Sequence, residues 1–300
     1  METEFFPGFD SLTMEGDGAD IHVRKGGDGP PVLLLHGYPQ THVMWHEVAP
    51  ALAERFTVVV ADLRGYGDSS CPDPDVEHYA YSKRAMGRDM VTVMAGLGHE
   101  RFAVVGHDRG GRVAYRLALD VPKAVSRIAV LDIVPTHEMW AGISRGLALR
   151  IYHWSFLAQP HPLPEMLIEP AADAYLDHTI ASWSAARDLS AFNPAALEAY
   201  RASFARPENI RAACEDYRAG ATYDYQADLA DHGAGRRIAA PLLAVWGDAG
   251  IPDETATPPL DVWRSWADDV RGEPIAAGHF LPEENPAALL DLLKPFLAGD

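Results

Sequence analysis

Short apolar runs alternate with amphipathic helical stretches along most of this chain, and that alternation restricts the fold more than any other feature. Glycine, proline or charged residues bound the apolar runs, as is typical of buried strands. The runs are ADIHVRKG, PPVLLLHG, FTVVVADLRG, RFAVVGHD, SRIAVLDIV, PLLAVWGD and VRGEPIAAGHF. Helical stretches such as THVMWHEVAPALAER and YSKRAMGRDMVTVMAGLG lie between several of them. Because parallel strands need such crossovers, the pattern predicts an α/β fold, with a mostly parallel sheet and helices on both faces.

The alternation stops between Pro135 and about Arg237, where aromatic-rich helical segments replace the strand runs. We therefore predict a core domain of residues 1–135 and 237–300, interrupted by a helical cap domain of residues 136–236. The insertion follows a core strand, so we expect it to emerge at the carboxyl edge of the sheet. Open α/β sheets bind their ligands at that edge.

Charge and composition exclude several classes of function. The 300 residues carry a formal net charge of −18, which argues against nucleic-acid or membrane partners because both require a basic surface. No apolar run approaches the about 18 residues of a membrane span, and the acidic N-terminus lacks signal-peptide features. Cys71 and Cys214 form no disulfide framework and show no metal-type spacing. We expect a cytoplasmic protein that needs neither metal nor cofactor.

Residues 106–110, GHDRG, have the form of a nucleophile elbow, a strained strand-to-helix turn that exposes its central side chain. Asp108 stands where esterases place serine, and the following helix presents its positive N-terminal end to an anion. Two other motifs follow strands at the same predicted edge: HGYP, which contains Tyr38, and GHF, which contains His279. The backbone N–H groups of Tyr38 and Arg109 are expected to form an oxyanion hole, and His279 occupies the right place in chain order for a catalytic histidine.

An aspartate nucleophile indicates a different reaction from that of serine. A carboxylate is ionised at pH 7 and suits attack on a saturated carbon that carries a leaving group, which gives an alkyl ester. His279 then deprotonates the water that attacks the carbonyl carbon of that ester. The histidine needs an orienting acid. Asp132 and Asp248 both end strands at the correct edge, and we favour Asp132, whose alternative role is a turn or helix cap.

Two arginines follow the nucleophile on its helix. Arg109 and Arg112 are three positions apart and share a helix face, so both guanidinium groups can enter one pocket. Because arginine forks pair bidentately with carboxylates, the arrangement predicts a small anionic substrate with its leaving group on the α-carbon. The alternative is that the arginines pair with acids of the protein, and for Arg116, one turn further on, we favour that alternative.

These motifs extend over nearly the whole chain, and the sequence resembles the haloacetate dehalogenases of the α/β-hydrolase fold. The segments that carry the resemblance are HGYPQTHVMW, DLRGYGDS, GHDRGGRVAYRLALDVP, LDIVPTHEMW, YHWSFLAQPHPLPE and AAGHFLPEENP. The resemblance implies a capped α/β-hydrolase fold that hydrolyses 2-haloacetates, converting fluoroacetate to glycolate and fluoride. In haloalkane dehalogenases and epoxide hydrolases tryptophan typically follows the nucleophile, whereas Arg109 follows it here.

The resemblance also implies roles for individual residues. It implies that Asp108 is the nucleophile, that His279 is the base and that Asp132 is the acid partner of His279. It also implies that Arg109 and Arg112 bind the substrate carboxylate. It further assigns halide binding to His153, Trp154 and Tyr217, pocket lining to Trp183, and a homodimeric assembly. From the residues alone, the halide-binding set would be interpreted as packing side chains of the cap, because aromatic residues on such helices usually make core contacts.

Two other functions stay open from the sequence. An epoxide hydrolase of the same fold would use two cap tyrosines as acids, and the partners available to Tyr217 are Tyr152 or Tyr223, both weak candidates. A non-catalytic protein that captures small carboxylates is the other alternative. The preferred halogen is not encoded in residue spacing, because it depends on the placement of donors at sub-ångström precision.

Overall fold

The computed structural model describes residues 5–250 and 257–299. Its centre is one eight-stranded sheet with the order β1-β2-β4-β3-β5-β6-β7-β8. The strands are β1 Asp10–Glu15, β2 Asp20–Gly26, β3 Pro31–Leu35, β4 Thr57–Ala61, β5 Phe102–His107, β6 Val125–Leu131, β7 Leu242–Gly247 and β8 Val270–Ile275. Strands β3 to β8 pair in parallel, while β1 pairs antiparallel with β2 and β2 antiparallel with β4. The predicted α/β class with a mostly parallel sheet is confirmed.

The edge strand β1 was not predicted from the sequence. Its residues, DSLTME, are exposed or half-buried throughout, so they form no apolar run. The strand is stabilised by its antiparallel ladder with β2, in which Leu12 lies opposite Val23. The central strand β5, by contrast, is buried at every position. Strands buried on both faces read as continuous apolar runs, and a solvated edge strand does not.

Helices fill the connections between strands. The α-helices are α1 Ala49–Ala53, α2 Lys83–Gly96, α3 Asp108–Asp120, α4 Thr136–Ala141, α5 Arg145–Arg150, α6 Tyr152–Leu157, α7 Leu163–Ile168, α8 Ala172–Trp183, α9 Pro194–Phe204, α10 Pro207–Ala219, α11 Tyr225–Gly233, α12 Pro259–Trp266, α13 Leu281–Glu284 and α14 Pro286–Ala298. Short 3₁₀ helices span His42–Trp45, Tyr79–Tyr81 and Glu169–Ala171, and a π-helical turn spans Gly220–Asp224.

Local sequence explains several helix boundaries. Ser82 caps α2, because its hydroxyl accepts a hydrogen bond from the N–H of Ala85 at 3.2 Å. Proline occupies the first position of α9 and of α10, where its missing N–H costs nothing. The helix expected over THVMWHEVAPALAER is instead divided into the 3₁₀ helix His42–Trp45 and the short helix α1.

Between β6 and β7 the chain is helical, as expected from the loss of the strand pattern there. We call residues 136–236 the cap segment; its status as a separate domain from a core of 1–135 and 237–300 stays a prediction. None of the described helices is long and apolar enough to cross a membrane.

The parallel sheet gathers the predicted motifs at one edge. Strand β3 ends just before HGYP, β5 just before Asp108, β6 just before Asp132, and β8 a few residues before His279. Because these strands run in parallel, their carboxyl ends lie on the same side of the sheet. The fold therefore brings together side chains that are far apart in the sequence.

Candidate active site

Asp108 occupies a tight turn between β5 and α3. Its φ is +46°, a left-handed conformation that non-glycine residues rarely adopt, and such strain concentrates at functional sites. The turn requires small neighbours, because a Cβ on Gly106 would lie 2.4 Å from the carbonyl oxygen of Gly110. The Tyr38 N–H donates a hydrogen bond to Asp108 Oδ1 at 2.9 Å. The elbow therefore holds a buried carboxylate against one of the two predicted oxyanion donors, and Arg109, at the second position of α3, lies beside it.

His279 lies between two carboxylates. Its Nδ1 is 2.6 Å from Asp132 Oδ2, and its Nε2 is 4.0 Å from Asp108 Oδ2. Asp132 is itself fixed, because its Oδ1 accepts a hydrogen bond from the Gly247 N–H at 3.1 Å. Of the two acids that the sequence left open, the structure places Asp132 against the histidine, whereas Asp248 is exposed in the turn after β7.

The electrostatics of this group favour an ionised Asp108. Burial alone would raise the pKa of Asp108, but the positive potential of His279, His107, Arg109 and Arg112 lowers it below its ordinary value. Burial would lower the pKa of His279, but the hydrogen bond and charge of Asp132 raise it, with a further contribution from Asp108. The buried Nε2 of His279 has no hydrogen-bond partner among the described residues. That nitrogen is therefore available to a water or substrate atom.

The two arginines of α3 have different environments. Arg109 pairs with a protein acid, because its Nε and Nη2 donate to the Asp216 carboxylate at 3.0 and 2.6 Å. Arg112 has no carboxylate within ion-pair distance among the described residues, and its Nη1 donates to Val134 O and Thr136 Oγ1 at 3.0 and 3.2 Å. The alternative that the sequence left open, an arginine paired with a protein acid, thus describes Arg109 but not Arg112. Within the described part of the chain, one buried nitrogen of each side chain has no hydrogen-bond partner, Nη1 of Arg109 and Nε of Arg112.

Asp216 is a functional candidate that the sequence analysis missed. Its carboxylate also accepts a hydrogen bond from Tyr66 Oη at 2.8 Å and pairs with the buried ammonium of Lys83. The positive charges of Arg109 and Lys83 lower the pKa of Asp216 despite its burial. The only signal in the sequence was the position of Asp216 directly before Tyr217. That Asp216 and its neighbour Glu215 are buried in α10 is visible only in the structure. Arg116, as expected, pairs with Asp228 and Asp231.

Replacing Asp216 by asparagine should lower kcat/KM by about 10–100-fold for the small anionic substrate that the sequence analysis predicts, because Arg109 would lose the ion pair that orients it. The melting temperature should also fall, since Lys83 and Arg109 would share a buried region without their common anion, a loss of about 3–5 kcal/mol. Asp231→Asn is the matched control, because it breaks a buried pair with Arg116 instead. Steady-state kinetics in which both variants behave alike would contradict a positioning role for Asp216.

The residues expected to bind halide pack against one another, and the charge of Asp108 acts on His153 and Tyr217. The ring centroids of His153 and Tyr217 are 5.6 Å apart, and those of Tyr217 and Trp154 are 6.2 Å apart. Burial lowers the pKa of His153 to about 3 and raises that of Tyr217 well above 10, so both side chains are neutral. The His153 Nδ1 and the Tyr217 Oη are buried without hydrogen-bond partners among the described residues. Unsatisfied buried donors carry a free-energy cost, which a bound anion would remove.

Trp183 lies between His279 and this group. Its ring lies 4.3 Å from that of His153 and 5.5 Å from that of His279, and its carbonyl accepts the His279 N–H at 3.0 Å. An open cavity of about 160 Å³ reaches Trp183, His153 and His279 from the surface, and the exposed Arg150 and Arg187 line it. The side of His279 that this cavity reaches is therefore lined by positive side chains.

The chain is similar in sequence and in fold to several known proteins. The model of the α/β hydrolase fold family matches residues 30–286. A fluoroacetate dehalogenase from Burkholderia sp. is 41% identical over 293 residues, covering 98% of this chain and 95% of the relative. A soluble epoxide hydrolase from Corynebacterium sp. (strain C12) is 32% identical over 285 residues, covering 94% and 95%. The crystal structure of a protein from Nostoc sp. PCC 7120, assigned to the α/β hydrolases, matches with a TM-score of 0.95 and 48% identity, covering 99% of this chain and 100% of that one.

Proposed function

The chain belongs to the α/β hydrolase family, and from that premise we propose that it hydrolyses 2-haloacetates to glycolate and halide. The observation that carries this proposal is Arg112, a buried guanidinium without an acid partner among the described residues, placed one helical turn after Asp108. A substrate carboxylate would supply the missing charge. Its α-carbon would then face a nucleophile that is already ionised.

The first step is displacement at that α-carbon. An oxygen of Asp108 attacks the carbon, and the bonding pair leaves with the halide, giving an ester of Asp108 with the glycolate carbon skeleton. Arg112, with the free Nη1 of Arg109, would hold the substrate carboxylate against rotation. Such positioning converts an encounter into an effectively intramolecular reaction.

The second step is hydrolysis of the ester. His279 Nε2 removes a proton from water, and the resulting hydroxide attacks the carbonyl carbon of Asp108. The N–H groups of Tyr38 and Arg109 stabilise the oxyanion that develops there. When the tetrahedral intermediate collapses, the glycolate oxygen leaves with the proton from His279 and Asp108 is restored. The net reaction consumes one haloacetate and one water and releases glycolate, halide and a proton.

Fluoride is a difficult leaving group because its bond to carbon is strong and its charge is concentrated. Donors from His153, Trp154 and Tyr217 would stabilise that charge as it forms. Hydrogen bonds to charged groups contribute roughly 1.5–3 kcal/mol each, and about 1.4 kcal/mol corresponds to a tenfold change in rate. We propose that fluoroacetate is accepted as a substrate for this reason.

Replacing Tyr217 by phenylalanine should lower the rate of fluoride release from fluoroacetate by about 10–100-fold, the loss of one charge-assisted hydrogen bond. Chloride release from chloroacetate should fall less, because chloride needs less stabilisation. Tyr200→Phe is the control, since Tyr200 is also a buried tyrosine but its hydroxyl bonds Glu283 at 2.9 Å. Equal losses on both substrates, measured with ion-selective electrodes, would count against halide binding by Tyr217.

The proposed function is tested by halide release assayed side by side on fluoroacetate, chloroacetate and 2-fluoropropionate. We expect release from the two haloacetates at least. If none of the three substrates releases halide, the proposal is wrong.

Epoxide opening is the second candidate, and one observation favours it. The hydroxyls of Tyr38 and Tyr217 are both buried without partners among the described residues, and their rings lie 5.2 Å apart. Of the partners considered for Tyr217 from the sequence, Tyr152 is 40% exposed and Tyr223 packs against Tyr79. Epoxide opening does not explain the buried Arg112, because an epoxide supplies no carboxylate for its guanidinium group to bind. Turnover of styrene oxide without turnover of haloacetates would favour this candidate.

A further inference from the structure

Three side chains with metal-binding atoms meet where the cap segment begins and ends. His137 and Glu138 lie in α4, its first helix, and His232 lies in α11, its last helix. One ligand atom from each residue lies within 4.8 Å of the other two. We propose that His137, Glu138 and His232 bind a divalent transition-metal ion of the Zn²⁺ class, and that this ion ties the two ends of the cap segment together.

Two of the three ligands are oriented by Trp266. The Trp266 Nε1–H donates to Glu138 Oε1 at 3.0 Å, which leaves Oε2 for an ion. The His232 ring stacks on the indole, with ring centroids 5.1 Å apart and planes inclined by 10°. Contacts of this kind around metal ligands fix their orientation and increase affinity. Trp266 is buried in α12, outside the cap segment, so the cluster rests on a fixed support.

His137 is also held in place while one ring nitrogen stays available. The backbone N–H of His137 donates to Asp228 Oδ2 at 3.2 Å, and the His137 ring packs against that of Tyr225 with centroids 5.5 Å apart. The Nδ1 atom is buried and has no hydrogen-bond partner among the described residues. A buried ring nitrogen without a partner is unfavourable, and coordination to a metal would satisfy it.

The donor set determines the class of ion. Two imidazole nitrogens and one carboxylate oxygen suit Zn²⁺ and its transition-metal neighbours, whereas Ca²⁺ and Mg²⁺ prefer oxygen ligands alone. Ligands about 2.1 Å from a tetrahedral ion lie about 3.4 Å apart, so a small rotation of the exposed His232 side chain closes the site. The fourth position is left to water.

The cluster is separate from the candidate active site but linked to it by the chain. Thr136, directly before His137, accepts a hydrogen bond from Arg112 Nη1 at 3.2 Å. An ion bound by His137 and His232 would restrain the start of the cap segment at this point. The expected consequence is higher thermal stability, because an ion that binds only the folded state shifts the unfolding equilibrium.

The test uses the full chain, treated with a chelator, and isothermal titration with ZnCl₂. We expect saturable binding of one ion, and a loss of affinity of about 10–100-fold in His232→Ala and in Glu138→Gln. Visible absorption of the Co²⁺-loaded protein should show d–d bands that these variants lose. Zn²⁺ in about hundredfold excess over the Kd of the unmodified chain should raise the melting temperature of that chain by about 5 °C, and that of His232→Ala by only about 1–3 °C at the same concentration.

His161→Ala is the matched control, because His161 is an exposed cap histidine outside the cluster. Its affinity for Zn²⁺ should equal that of the unmodified chain. Absence of saturable binding would overturn the proposal. Equal affinity in the unmodified chain, His232→Ala and Glu138→Gln would overturn it too, and would direct attention to the buried group of His22, His42 and Asp62, whose ligand atoms are similarly close.

Discussion

Asp108→Asn is expected to abolish halide release from haloacetates, lowering kcat by about 10⁴-fold or more, as for other residues that act as the nucleophile of a covalent mechanism. Asparagine is uncharged and cannot displace a halide from a saturated carbon. Its amide oxygen can still accept the hydrogen bond that the Tyr38 N–H donates to Asp108 Oδ1. We therefore expect the variant to fold, and a melting curve together with its circular dichroism spectrum checks this.

Isotope labelling tests the same prediction without a mutation. In a single turnover in ¹⁸O-water, the solvent oxygen should enter the Asp108 carboxylate, because hydroxide attacks the carbonyl carbon of the ester. The glycolate of that first turnover should contain no label, and label should reach it from the second turnover on. Glycolate labelled in the first turnover would mean that water attacks the substrate directly, and the ester mechanism would be excluded.

His279→Gln should separate the two steps of the reaction. Asp108 keeps the positive potential of Arg109 and Arg112 in this variant, so displacement of the halide should continue, but hydrolysis of the ester needs a base at Nε2. We expect one equivalent of halide per protein molecule and accumulation of a protein heavier by one carboxymethyl group. Intact-mass measurement and peptide mapping to Asp108 check this result. A variant that releases no halide, or that turns over fully, would contradict the assignment.

The acid partner of His279 can be tested with a matched pair of variants. Asp132→Asn removes the negative charge that His279 Nδ1 contacts at 2.6 Å, and should slow ester hydrolysis by about 10²–10⁴-fold. Asp248→Asn changes the exposed acid at the end of the neighbouring strand and should leave the rate unchanged. The opposite ranking of the two variants would assign the role to Asp248.

The pH dependence of ester hydrolysis follows from the same contacts. His279 acts as a base only when it is neutral, and its pKa is raised above its ordinary value of 6.5. The rate should therefore rise with pH as His279 loses its proton, and level off above its pKa. Displacement needs Asp108 ionised, and because the positive groups around it lower the pKa of Asp108 below its ordinary value, this step should not limit the rate near neutral pH.

The sequence predicts most of the sheet because its buried strands are local patterns. Each apolar run ends in glycine, proline or charge, and the runs correspond to β2 through β8. The exposed strand β1 carries no such pattern and is specified by its pairing with β2. The helix expected over THVMWHEVAPALAER is broken in the structure, since Pro50 begins a new helix rather than continuing the first one.

The acid partner of Arg109 could not be predicted from the sequence. Helical spacing places Arg109 and Arg112 on one face of α3, and both side chains are buried in the structure. Spacing does not say which of them meets an acid. Asp216, on α10 of the cap segment, forms an ion pair with Arg109. Arg112 forms no ion pair with a carboxylate of the described residues.

The sequence by itself determined the strands β2 to β8 and their alternation with helical segments, the elbow at Asp108 and the sheet edge at which its chemistry would lie. These features depend on local stereochemistry and on the burial of short segments, which residue order encodes directly. Only the tertiary structure decided the pairing of His279 with Asp132, the pairing of Arg109 with Asp216, and the meeting of His137 with His232. Those contacts depend on how helices far apart in the chain pack against the sheet and each other, and residue spacing does not carry that information.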